Sequence, residues 1–191
     1  LKNMDSIETY IKKNLSEKRR KHVYGVVHTA QKLAGQYGCD REKAKLAALF
    51  HDMFRSTPVD VLNMYVRQLE MDPVYLDNAN LAHGPIAAKI MKRDYGITDP
   101  DLLNAVRYHT TGRAGMSLLE KVLYLADAIE PGRNYPGVEE IRKRAETSLD
   151  DACLLSMERS IRYIEERGLF LHEDTIKARE DLKKKGEKNG L

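Results

Sequence analysis

The sequence predicts an all-α protein, on three observations. Apolar residues recur at helical spacing in most segments, no run alternates apolar and polar residues long enough to require a strand, and caps and glycines punctuate the periodic stretches.

In chain order, the spacing predicts helices over Ile7–Leu15 and Glu17–Gln36, the second stopped at Gly38. The nearly unbroken apolar run from Ala44 to Phe50 falls in a helix predicted over Arg41–Met53. Periodic stretches follow at Val59–Glu70 and at His83–Tyr95, the latter ended by Gly96. Asp99 before Pro100 reads as a cap followed by a proline at the first helical position, opening a helix to His109 with Gly112 as its stop. Ser117 and Glu120 have capping-box spacing for Leu118–Ile129. Val138–Arg144 and Asp151–Glu166 come next, Gly168 marks a stop, and a last helix begins near Asp174. No Pro/Gly/Ser-rich linker and no internal repeat divides the chain, so residues 1–182 are expected to form one domain and the basic residues 183–191 a frayed tail.

A chain of 191 residues is long enough for one core, burying roughly 70% of the unfolded surface. Its 32 Lys and Arg against 29 Asp and Glu leave a net charge of +3, too little to argue for nucleic acid, and no nucleic-acid motif is present. No apolar run approaches a membrane span, and the polar stretch Lys2–Glu8 speaks against a signal peptide, so no membrane partner is expected and the cytoplasm is the expected compartment. Cys39 and Cys153 alone are too few and too distant for a zinc motif or a disulfide framework.

The dipeptide His51-Asp52 ends the apolar run. Consecutive helical side chains point about 100° apart, so an imidazole and a carboxylate can bracket one ion, a donor pair suited to Fe, Mn, Co or Zn. Asp127 sits in the apolar stripe of Leu118–Ile129. Ionised and unpaired, it would cost on the order of tens of kcal/mol, so it must protonate, pair with an arginine or bind metal. His22 has Gly25 three residues on, where a missing side chain leaves room for a ligand. His28 points about 120° away from His22 and is expected to be surface or core filler. His83 opens a predicted helix and His109 closes one; such histidines are commonly structural, yet these stand beside Gly and Arg at loop mouths, where phosphate is often held. Arg55, Arg113 and Arg133 each follow a metal-competent element, which points to an anionic substrate. The basic run Lys18–Lys21 reads either as steering for a polyphosphate or as a solvated face, and Tyr24, Tyr108 and Tyr124 either as base-stacking residues or as core.

Taken in order, His22, His51-Asp52 and Asp127 reproduce the H...HD...D pattern of the HD-domain metal-dependent phosphohydrolases. Three further stretches, Arg107–Met116, Leu118–Val122 and Ala126–Arg133, resemble the YqeK family more specifically, and the resemblance extends over nearly the whole chain. It implies an HD-domain helical bundle and symmetrical hydrolysis of diadenosine tetraphosphate to two ADP. It implies a divalent or trivalent transition metal, iron first with Mn or Co as alternatives, as one ion or two. The metal ligands would be His22, His51, Asp52 and Asp127. Gly25, His83, His109, Thr110 and Arg133 stand where the family presents phosphate or ribose contacts, and Arg55 stands where relatives commonly carry lysine. His172, Asp174 and Thr175 belong to a segment resembling one that closes over the nucleotide, while residues 57–80 and those beyond Arg179 look least like the family.

The catalytic candidates are Asp52, which can bridge two ions or take a proton, and His83 and His109, which can bind a second ion or hold phosphate oxygens. The implied partners are a small dinucleoside polyphosphate and ADP, without nucleic acid or membrane; a homodimer is left open. Two other readings stay open: an HD nucleotidase acting on another nucleotide or a guanosine alarmone, and a non-catalytic nucleotide sensor whose metal is structural, as a closed ligand set would indicate.

Overall fold

A computed structural model describes residues 2–189, which form ten α-helices, one 3-10 turn at Pro73–Tyr75 and no strand. The helices are α1 (Lys2–Asn14), α2 (Glu17–Tyr37), α3 (Arg41–Phe50), α4 (Val59–Gln68), α5 (Ala79–Tyr95), α6 (Pro100–Arg107), α7 (Leu118–Ile129), α8 (Val138–Arg144), α9 (Leu149–Glu166) and α10 (Glu173–Asn189). The caps anticipated from sequence are in place. Asp99 accepts from the Asp101 amide, and Ser117 and Glu120 close a full capping box at the start of α7.

Several boundaries depart from the sequence expectation, each for a local reason. α1 begins at Lys2, with Asp5 in its first turn and Ile7 and Ile11 fully buried one turn apart. α5 begins at Ala79 rather than His83, because the Asn78 side chain caps it on the Leu81 amide. His83 therefore lies inside the helix, and Pro85 is accommodated within it despite lacking a backbone donor. α3 stops at Phe50 and α6 at Arg107, so His51-Asp52 and His109 lie just past helix ends. α4 ends at Gln68, two residues before Glu70 enters the left-handed region at φ 49°. α9 starts at Leu149, capped by Ser148 on the Asp151 amide. α10 runs through the basic stretch as far as Asn189, and Lys183 pairs with Glu158 of α9.

α2 packs most extensively on α3 and α7, and α6 joins α5 to α7, so these five elements form one connected group around the core. Leu49, Phe50, Ile86, Leu123 and Leu125 are fully buried there, each burial stabilising the fold by roughly 1.5–3 kcal/mol. Among the described residues, no helix is long and apolar enough to cross a membrane.

Candidate metal centre

The end of α3 sets the site. The His51 amide still donates to Ala47 O as in an α-helix, but the following bonds tighten, Met53 to Phe50 O and Arg55 to Asp52 O. His51 and Asp52 leave the core side by side and both are buried. His22 of α2 comes to them across the α2–α3 packing, and its Nε2 lies 3.4 Å from His51 Nε2 and 3.4 Å from Asp52 Oδ2. His51 Nε2 is 3.5 Å from the same Asp52 oxygen. From α7, Asp127 Oδ1 stands 3.1 Å from His22 Nε2 and 3.9 Å from His51 Nε2.

The other Asp52 oxygen faces a second group. Oδ1 is 3.3 Å from His83 Nε2 and 3.9 Å from His109 Nε2, and the two ring nitrogens are 3.0 Å apart. Gly84 permits this approach of α5 to the end of α6. A Cβ there would lie 3.0 Å from Val106 O and 3.1 Å from the His109 ring. Asp52 thus stands between two histidine pairs, one oxygen toward each.

The four imidazoles are oriented alike. His51, His83 and His109 direct Nδ1 to the backbone oxygens of Ala48, Ala79 and Val106, and His22 directs Nδ1 to Glu130 Oε1 at 3.2 Å. Each acceptor takes the proton on Nδ1, so a ring that gives up its Nε2 proton presents an inward-facing Nε2 lone pair as a ligand to a cation. Burial and the neighbouring His83 and His51 push the His109 pKa down to about 3, so this ring is neutral near neutral pH. Burial opposes ionisation of Asp52, but His51 and the His83 hydrogen bond outweigh it and hold the carboxyl well below the usual range. Burial likewise opposes ionisation of Asp127, and the His22 hydrogen bond with His51 and Arg133 nearby overcomes it.

This donor set fits a metal ion. Ions that hold nitrogen and oxygen ligands at about 2.0–2.2 Å separate those ligands by roughly 3–3.5 Å, the spacing found throughout the His22, His51, Asp52 group and, apart from the 3.9 Å between His109 Nε2 and Asp52 Oδ1, in the other. His22, His51 and Asp52 form one set and Asp52, His83 and His109 another, the donor atoms of each within 4.8 Å of one another. The mixture of imidazole and carboxylate suits Fe, Mn, Co or Zn and disfavours the all-oxygen preferences of Ca and Mg.

Around the cluster, Arg133 donates to Asp127 Oδ1 at 2.6 Å and to its backbone oxygen at 2.8 Å, and the Thr110 hydroxyl lies 3.3 Å from His109 Nε2. Arg55 is half-buried in the turn after Asp52, with no ion-pair partner among the described residues. His28 is exposed, as expected. The space expected for a ligand beside Gly25 is filled instead: a Cβ there would meet Glu130 Oε2 at 2.5 Å. Arg113 is bound through a two-pronged contact to buried Glu120, at 2.8 and 2.6 Å, so it ties down the loop after His109 rather than facing the cluster. Tyr124 is core and Tyr24 is exposed.

His172, Asp174 and Thr175 make no hydrogen bond or ion pair to the cluster among the described residues. His172 stacks on Tyr75 with ring centres 6.0 Å apart and planes 10° from parallel, and it accepts from the Asp174 amide; Thr175 is buried. His172 and Asp174 line a cleft of about 920 Å³ whose walls include Tyr75, Pro85, Arg107, Tyr108 and Phe170. Tyr108, which precedes His109 in the chain, is in the cleft wall, whereas His22, His51, Asp52, His83, His109 and Asp127 do not line it. The sequence reading missed Glu130, Gly84 and the Tyr75 platform, and it took Arg19 only as one member of the basic run Lys18–Lys21. Glu130 could have been suspected from Glu130-Pro131-Gly132 following Asp127 by three residues, and Arg19 from its place one helical turn before His22.

Residues 19–132, which carry both histidine pairs, Asp52, Asp127 and Glu130, match the HD domain family. A protein of Bacillus subtilis (strain 168) named symmetrical bis(5'-nucleosyl)-tetraphosphatase is 41% identical over 167 residues, covering 87% of this chain and 90% of the relative. A protein of the same name from Staphylococcus aureus (strain NCTC 8325 / PS 47) is 37% identical over 177 residues, covering 91% of each chain. A crystal structure from Clostridium acetobutylicum, described as a predicted HD superfamily hydrolase involved in NAD metabolism, superposes with a TM-score of 0.90 at 43% identity, covering 95% of this chain and 97% of that one.

Proposed function

The chain belongs to the HD domain family and, within it, to the symmetrical bis(5'-nucleosyl)-tetraphosphatases, and from that premise we propose that it hydrolyses diadenosine tetraphosphate to two ADP in a metal-dependent reaction. The observation that carries this reading is Asp52 set between two pairs of inward-facing histidine Nε2 atoms, and a separate cleft has room for a nucleotide half. Ligand pockets generally run from about 300 to 1,000 Å³. In this reading His22, His51, Asp52 and Asp127 hold one ion, and Asp52, His83 and His109 hold a second; iron is the native metal, with Mn or Co able to replace it. A transition-metal ion so held supplies Lewis-acid chemistry, acidifying water and offsetting charge on phosphoryl oxygens.

The chain's own residues do the remainder. Three or four protein donors per ion leave coordination positions open, which favours catalysis over a closed, structural site. Arg133, held beside Asp127, would offset charge that accumulates on the polyphosphate during in-line displacement, and Thr110 and Arg55 would offer further contacts to its oxygens. Tyr75, His172 and Asp174, which line the cleft, hold one nucleoside there, and Thr175, buried and outside that lining, supports the segment that carries them. The reading carries with it a small-molecule substrate, a cytoplasmic setting and no nucleic-acid partner.

Chromatography of the products with Fe, Mn or Co supplied tests the reaction. Two ADP are expected, and hydrolysis in oxygen-18 water should label the terminal phosphate of one ADP per turnover, because the other departs with the bridging oxygen. ATP with AMP would overturn the symmetrical assignment. Tight nucleotide binding without turnover under any of these metals would overturn catalysis in favour of a sensor.

A further inference from the structure

The basic run at the start of α2 divides on folding. Lys21 pairs with Glu17 on the surface, Arg20 donates to Lys12 O, and Lys18 is exposed. Arg19 alone turns inward. Its Nη1 donates to Asp52 Oδ2 at 2.7 Å, while the guanidinium stays at the rim with 29% of the side chain exposed. The Ser16 cap accepts from the Arg19 amide, which fixes the turn that carries it.

Asp52 Oδ2 is the same oxygen that lies 3.4 Å from His22 Nε2 and 3.5 Å from His51 Nε2. A cation taken by that trio and the guanidinium would contact one oxygen from two sides, in a buried setting where like charges repel strongly. From this geometry we infer that Arg19 antagonises the metal at Asp52 and exchanges that carboxylate for a phosphate oxygen of the nucleotide. Arg19 thereby couples the two ligands: phosphate draws the guanidinium off Asp52, so nucleotide tightens metal binding, and by reciprocity metal tightens nucleotide binding. Arg133 has no such freedom, because it also holds the Asp127 backbone oxygen. The nucleotide half of this inference rests on the proposed function; the metal half does not.

The test is Arg19→Gln in the full chain, with Arg20→Gln as the control for lost surface charge. Mn²⁺ is titrated without nucleotide and again with saturating ADP, and ADP is titrated on the Mn²⁺-loaded protein. Arg19→Gln should bind Mn²⁺ roughly three- to tenfold more tightly without nucleotide, bind ADP at least about tenfold more weakly, and lose the enhancement of Mn²⁺ binding by ADP; couplings of about 5- to 150-fold are typical of linked sites. Arg20→Gln should leave all three unchanged. Weaker or unchanged Mn²⁺ binding in Arg19→Gln would overturn the antagonism and make Arg19 a support for Asp52. Unchanged ADP binding would overturn the exchange. If Arg19→Gln binds Mn²⁺ more tightly but the unaltered protein fails to cleave diadenosine tetraphosphate, the proposed reaction fails while the antagonism stands.

Discussion

A Cβ on Gly25 would stand 2.5 Å from Glu130 Oε2, so the absent side chain is the seat of a carboxylate that accepts from His22 Nδ1. Gly25→Ala should therefore displace Glu130 and let the His22 ring turn. Loss of such an outer partner typically costs 10- to 100-fold in metal affinity, so a fall of about tenfold is expected by metal titration. The helix itself should gain, because alanine in place of a helical glycine contributes up to about 1 kcal/mol. Metal affinity and helix stability moving in opposite directions is the outcome a general packing defect would not produce; unchanged metal affinity would refute the role of Glu130.

Much of this was legible in the sequence because it rests on short-range rules. The capping box at Ser117–Glu120 and the Asp99-Pro100 start follow from local hydrogen bonding, and both are in place. His51-Asp52 and Asp127 announced themselves as polar groups in apolar stretches, and the fold brings them together with His22. What stayed hidden depends on contacts between helices. Nothing local says that Glu130 fills the space over Gly25, 105 residues away in the chain (130 less 25), or that Gly84 lets two histidines meet. Arg113 had the composition of a substrate contact, and only the fold shows its guanidinium committed to Glu120.

His22→Ala and His28→Ala should separate cleanly. His22 Nε2 lies within 3.4 Å of three other donor atoms, whereas His28 is exposed, about 120° around the same helix. Metal content by mass spectrometry should drop sharply in the first variant and stay at the unaltered level in the second. Equal losses would contradict the ligand role of His22.

Metal stoichiometry tests whether Asp52 serves both histidine pairs. With two ions sharing its carboxylate, the unaltered protein should take up about two per chain, His109→Ala about one, and Asp52→Ala less than either. Asp52→Ala should also abolish turnover while leaving the helical circular dichroism intact, since its side chain lies at the edge of the core and joins no helix cap. One ion in both the unaltered protein and His109→Ala would restrict the metal to the His22 side and leave His83 and His109 as phosphate contacts.

The acid limb of stability in the metal-stripped protein should report His109. Its folded pKa is about 3 against 6.5 for a free histidine. The unfolded chain therefore binds a proton that the folded chain refuses, and the stability this provides is complete above pH 6.5 and lost as pH falls toward about 3. His22 has the opposite sign. Burial opposes its protonation, but the Asp127 hydrogen bond and charge raise its pKa, so its contribution is present below 6.5 and fades as pH rises above that value. Asp52 and Asp127 are held ionised, so their contribution persists until pH falls below the ordinary carboxylate pKa of about 4. Between pH 6.5 and 4.5, then, the slope should belong chiefly to His109, at up to about 1.4 kcal/mol per pH unit. Urea unfolding after chelation should show that decline, and His109→Gln, which cannot take the proton, should flatten it. An equal slope in both proteins would mean that His109 is not the group that resists protonation.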